Sequence, residues 1–173
     1  MHDRETAIID ASTLINFLAV DRGDLLERNA RYCFLITEHV RSEITDAYPD
    51  QLARLDALVA RGVIEESAVT AINELQVFAR LAATKRLGPG ECASIAAASE
   101  RGFVLIIDDR RATREARSLN PNLRILDTQS VMLQLIRDGA IDVTGADQIK
   151  AAWERHHRFR LSFSSFGDLL SGN

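Results

Sequence analysis

"GPGECASIAAASERGFVLIIDDRRA", residues 88–112, sets a helix and a strand back to back. From Glu91 to about Arg101 the side chains are small enough to lie tightly on a sheet, and Gly102 suits a left-handed C-cap. "FVLIIDD" is apolar until it meets Asp108 and Asp109, the pattern of a central strand covered on both faces in a parallel sheet. Such a strand needs helices above and below it. The rest of the chain should therefore alternate strands with helices.

It does. "TAIID" reads as the first strand and "ASTLINFLAV" as a helix, with Ser12 or Thr13 available as its N-cap. "DRGDLLERN" reads as a further helix and "RYCFLIT" as a strand. "EHVRSEITDAY" follows as a helix expected to run until Pro49 stops it, because the residue before proline avoids the α region. "DQLARLDALVARG" carries Leu52, Leu55, Leu58 and Val59 on one stripe, Gly62 closes it, and "VIEES" reads as a minor strand. "AINELQVFARLAATKRL" is a helix stopped by "GPG"; "RRATREARSLN", "LRILD" and "TQSVMLQLIRDG" read as helix, strand and helix. A polar helix follows Gly145 to about Arg155, and the remaining tail offers Phe159, Leu161, Phe163, Phe166 and Leu169 for docking. The expected architecture is a three-layer α/β/α sandwich with a central, mostly parallel sheet, in one domain over 1–173 with 156–173 as a C-terminal docking segment.

Composition bounds the function. At 46% hydrophobic and 27% charged residues the chain is of ordinary globular make-up. No apolar run reaches the roughly 20 residues of a membrane span, so no membrane partner is expected. Two cysteines, Cys33 and Cys92, suit a reducing cytoplasm and cannot make a zinc site unaided; both read as buried structural thiols. The net charge of −4 does not advertise nucleic-acid binding. Lysine occurs only at 85 and 150, however, so the positive charge is almost all arginine, whose fork pairs with phosphates and carboxylates alike.

Right-handed crossovers bring every helix N-terminus in such a sheet near the carboxyl ends of the strands. The helix from Glu91 to Arg101 runs away from that edge by about 16 Å, at about 1.5 Å per residue. The strand from Phe103 to Ile107 returns by a similar distance at about 3.3 Å per residue. Glu91 and the Asp108–Asp109 pair should therefore meet at one edge. Asp10 ends the first strand there, and Glu43, in the second turn of its helix, leans back toward it. Singly, each acid has a plain structural explanation as an N-cap, a helix-dipole partner or half of an ion pair. Together they would repel one another, and a hard divalent cation held through oxygen, Mg²⁺ or Mn²⁺, would balance them.

The pieces "IIDASTLINFL", "HVRSEI", "LGPGECASIAAA", "LIIDDRRATREA" and "ILDTQSVMLQLIRDGAI", with the closing "FRLSFSSFGDLL", resemble in this order the PIN-domain nucleases. The likeness is strongest to their compact bacterial and archaeal branch, which includes toxins of toxin–antitoxin pairs. The resemblance implies a Mg²⁺- or Mn²⁺-dependent endoribonuclease that hydrolyses RNA. It implies Asp10, Glu43 and Glu91 as three of its acids and Asp108 or Asp109 as the fourth, with Asp109 slightly favoured because Ile107 stands where many members have threonine. Ser12 would orient a ligand or phosphate, and Arg110 and Arg114 would contact RNA, although helix salt bridges, for example to Glu115, explain the arginines as well. A homodimer and an antitoxin protein are the partners it implies. Two rival readings are a PIN-like module that binds RNA or protein without cutting, and a receiver-like signalling domain. The receiver is disfavoured because its acidic pair would come early and a lysine would end a late strand.

Overall fold

The computed structural model describes residues 4–170, so the outermost ends of the expected 1–173 domain lie outside the described residues. Five strands alternate with helices along the chain: β1 (Glu5–Ile9), α1 (Ala11–Ala19), α2 (Asp24–Glu27), β2 (Tyr32–Thr37), α3 (Glu38–Glu43), α4 (Pro49–Ala60), β3 (Ile64–Ser67) and α5 (Ile72–Ala83). There follow α6 (Pro89–Arg101), β4 (Val104–Ile106), α7 (Arg110–Leu119), β5 (Ile125–Leu126), α8 (Thr128–Arg137), α9 (Val143–His156) and α10 (Phe166–Leu170). All strand pairs are parallel, in the order β3-β2-β1-β4-β5, which puts β1 at the centre with β2 and β4 on either side of it.

The two-sided burial expected of β4 is realised, and β1 shares it. Ala7, Ile9, Val104 and Ile106 point into one core, built with Leu14, Phe17, Leu18, Leu55, Val131, Met132 and Trp153 from α1, α4, α8 and α9. Ile8, Leu105 and Ile107 point into the other, against Val77, Leu81, Cys92, Ala93, Ala96, Ala97, Ala112 and Ala116 from α5, α6 and α7. The sandwich therefore has three layers. The alanine run of α6 lets that helix sit flat on the sheet, and Gly102 ends it at φ 69°, a conformation that costs glycine little.

Two sequence expectations need correction. Pro49 does not stop a helix but starts one, as the first residue of α4. The preceding helix, α3, ends at Glu43, where Ile44 turns extended (φ −97°, ψ 95°) and buries its side chain. Cys33 is exposed, whereas Cys92 is buried as expected. The reason lies along β2, where Cys33, Leu35 and Thr37 share a face that is exposed, half-buried and buried in turn. That face is covered only toward the strand's carboxyl end.

The tail packs against α9. Phe159 meets Trp153 edge-on at 5.3 Å, Phe166 is fully buried, and Asp147 accepts hydrogen bonds from Ser165 Oγ (2.6 Å) and the Phe166 N–H (2.9 Å). Trp153 is itself tied to α1 through its Nε1–H, which donates to the Asn16 carbonyl at 2.7 Å. Among the described residues no helix is long and apolar enough to cross a membrane.

Candidate active site

Asp10 leaves the carboxyl end of β1 and is itself the N-cap of α1, in place of the expected Ser12 or Thr13, which lie inside the helix. Its Oδ2 accepts the Ser12 N–H (3.0 Å) and hydroxyl (2.8 Å), and its Oδ1 accepts the Ser94 hydroxyl (3.2 Å). The side chain is thus clamped from two elements, with the residue only 2% exposed. The Ser12 hydroxyl also accepts the Asp108 N–H at 3.2 Å and so joins the end of β1 to the segment after β4. Ser94 lies one helical turn after Glu91 on the face of α6 that meets the sheet. Its small size hid it in a run that reads as packing alone.

Glu43, the last residue of α3, reaches across to α6, where its Oε1 accepts the Gly90 N–H at 3.0 Å. A Cβ built on Gly90 would overlap that carboxylate, so this glycine makes room for Glu43. Glu91 turns back along its own helix, and its Oε2 accepts the Gly88 N–H at 2.8 Å. Asp109 caps α7, its Oδ1 accepting the N–H groups of Arg111 (2.7 Å) and Ala112 (2.8 Å). Glu43, Glu91 and Asp109 each keep one carboxylate oxygen without a hydrogen bond among the described residues.

Electrostatics binds the four into one group. Burial pushes the Asp10 carboxyl above the ordinary aspartate range, against the pull of the Ser12 and Ser94 hydrogen bonds. Glu43 is raised by burial and then by the charge of Asp10. Glu91 is raised by burial and by the charges of Asp109, Asp10 and Glu43, with the Gly88 hydrogen bond opposing. None of the four takes part in an ion pair among the described residues. The only basic side chain among the influences on Glu43 is His39, one turn earlier on α3. The edge carries an excess of negative charge that the protein itself does not neutralise.

Asp108 is placed differently from its neighbour. It turns into the protein and accepts four hydrogen bonds, from Thr13 Oγ1 (3.2 Å), Asn16 Nδ2 (2.9 Å), the Thr128 N–H (2.9 Å) and Thr128 Oγ1 (2.5 Å). Burial raises its carboxyl too, with the Thr128 hydrogen bonds opposing. It ties β4 to α1 and to the start of α8. Thr13, Asn16 and Thr128 carry no signal in the sequence as partners of Asp108, because two polar residues of α1 and one at the start of a distant helix read as ordinary helix residues. Arg110 and Arg114 lie exposed on α7. The expected pairing of Glu115 with one of them does not occur, since Glu115 pairs with Arg86 at 3.1 Å.

The donor set of carboxylates and hydroxyls suits a hard divalent cation. The charge that no ion pair compensates fits such an ion. Among the described residues, no three acidic, imidazole or thiol groups already stand close enough together to hold one.

In a three-layer parallel fold, ligands bind beyond the carboxyl ends of the strands, where these acids stand. Residues 6–170 match the model of a family described as a PIN domain, DUF3368, and the chain belongs to that family. Hydrolysis of nucleic acid is the class of chemistry this membership supports. No curated protein sequence matches the chain significantly. Among solved structures it is similar to PAE2754 from Pyrobaculum aerophilum, at 19% identity and TM-score 0.49, over 79% of this chain and 91% of that one. It is also similar to VapBC2 from Rickettsia felis, solved bound to a DNA fragment from its promoter, at 12% identity and TM-score 0.48, over 70% and 98% of the two chains.

Proposed function

We propose that this chain is a Mg²⁺- or Mn²⁺-dependent endoribonuclease whose ion-holding acids are Asp10, Glu43, Glu91 and Asp109. The observation that carries the proposal is the meeting of these four at one edge without a basic partner in ion-pair contact. Such an ion supplies Lewis acidity and an acidified water beside the phosphate. The protein's part is positioning. Ser12 and Ser94 fix Asp10 in one orientation, the Gly90 N–H holds Glu43, and the Gly88 N–H holds one oxygen of Glu91 and leaves the other without a hydrogen bond among the described residues. Asp108 is left out of the ion-holding set because its oxygens already serve Thr13, Asn16 and Thr128. RNA as substrate, a homodimer and an antitoxin partner rest on the motif resemblance.

The test is cleavage of labelled RNA by wild type and Asp10→Asn, each with Mn²⁺ and with EDTA. Wild type should cut only with the metal, and the variant should lose at least about 10²-fold in rate, the scale of removing a main electrostatic element from an active site. Equal cleavage by the variant would remove the assignment. Binding of RNA by wild type with no cleavage under any metal would replace it with the binding-module reading.

A further inference from the structure

Beside the acidic edge, past the short edge strand β5, lies a hollow of about 480 Å³. Asp108 after β4 and Asp127 at the start of α8 border it on one side, and Arg110, Thr113, Arg114 and Arg117 line it along α7. The spacing i, i+3, i+4, i+7 places those four α7 residues on one helical face. The three arginines span about 10 Å along the axis at about 1.5 Å per residue.

These arginines are exposed, and among the described residues none makes an ion pair or a side-chain hydrogen bond. Elsewhere arginines such as Arg31, Arg41, Arg101 and Arg124 are paired with acids. The nearest acids make no ion pair with the stripe among the described residues. Asp127 caps α8 by accepting the Ser130 N–H (2.8 Å) and hydroxyl (2.5 Å), Asp108 serves Thr13, Asn16 and Thr128, and Glu115 holds Arg86. Like charges one turn apart destabilise a helix unless an anion joins them. A row of unpaired arginines beside an acidic edge is the complement of successive backbone phosphates of a nucleic-acid strand.

We infer that this arginine face is a subsite for the backbone of an RNA strand beside the acidic edge, with its phosphates on Arg110, Arg114 and Arg117. The inference rests on the ribonuclease reading and adds Arg117 to it. It also gives a direction to the strand, which leaves the acidic edge along α7 toward the far end of that helix.

The test separates binding from cleavage. Fluorescence anisotropy of a labelled single-stranded RNA, in EDTA and over a series of salt concentrations, is measured for wild type, Arg114→Gln/Arg117→Gln and Arg137→Gln. Arg137 is exposed at the far end of α8 and controls for net charge. The double variant should bind several-fold more weakly, and its slope of log affinity against log salt should fall by about 1.4, about 0.7 for each phosphate that an arginine no longer neutralises. Arg137→Gln should leave the slope unchanged. An unchanged slope in the double variant, an equal fall in Arg137→Gln, or no RNA binding by wild type would each overturn the subsite. RNA binding with the expected fall in slope, but no metal-dependent cleavage, would sink the nuclease reading and leave the subsite standing. Cleavage that Asp10→Asn abolishes, with the slope unmoved in the double variant, would do the reverse.

Discussion

Asp108 and Asp109 are adjacent, chemically identical and put to different uses. Asp108 satisfies four donors on α1 and α8, so Asp108→Ala should leave buried donors unpaired and cost about 2–4 kcal/mol of stability. Asp109 caps α7 through one oxygen and leaves the other without a hydrogen bond among the described residues, near enough for its charge to bear on Glu91. Asn is as good an N-cap as Asp, so Asp109→Asn should hold stability to within about 0.5 kcal/mol while RNA cleavage collapses. Urea unfolding and a cleavage assay on the two variants read the contrast directly. The reverse pattern, a stable inactive Asp108 variant and an unstable active Asp109 variant, would exchange the two assignments. The sequence placed this pair at the right edge but held both members open. Which of two neighbours faces inward depends on Thr13, Asn16 and Thr128, residues that only the folded chain brings alongside.

The helices α5 and α6 are joined through a partly buried ion pair as well as through apolar contact. Glu74, on the first turn of α5, accepts Arg101 Nε at 2.5 Å and Nη2 at 3.0 Å, and Arg101 also donates to Ser67 Oγ and the Ala68 carbonyl. The Arg101 guanidinium holds the Glu74 carboxyl below its ordinary range, with burial opposing. A depressed carboxyl contributes stability above its unfolded value, here 4.5, and loses it as pH falls through the lower folded value. Glu74→Gln should therefore cost about 1.5–3 kcal/mol at neutral pH, the range for a hydrogen bond to a charged group. The gap from wild type should narrow as pH drops below 4.5, which paired denaturation curves across pH 3–7 would follow. A gap that stays constant with pH would assign the effect to packing. Element boundaries were legible where punctuation is local, as at Gly102. They were misread at Pro49, because proline is as well suited to the first turn of a helix as to the residue after one.

At the scale of the whole molecule, the fold draws four carboxylates from four chain segments toward one end of a sheet and pairs none of them with a basic side chain among the described residues. A ligand that binds only the folded state adds stability by mass action, about 2.7 kcal/mol at 100 times its dissociation constant. Mn²⁺ at that level should raise the melting temperature of wild type by about 5–10 °C for a chain of this size and that of Asp10→Asn by much less. Melting curves that coincide in Mn²⁺ and EDTA would count against an ion at this edge. Three-layer parallel architecture, the positions of the strands and the convergence of Asp10, Glu43, Glu91 and the 108–109 pair were determined by the sequence itself. Apolar periodicity and right-handed crossovers leave few other ways to bury two faces of one sheet. The clamp of Ser12 and Ser94 on Asp10, the space that Gly90 leaves for Glu43, the division of labour between Asp108 and Asp109 and the arginine-walled hollow were decided by the tertiary structure alone. Each depends on side-chain contacts between residues far apart in the chain, and no local pattern encodes which way a side chain turns once its neighbours have arrived.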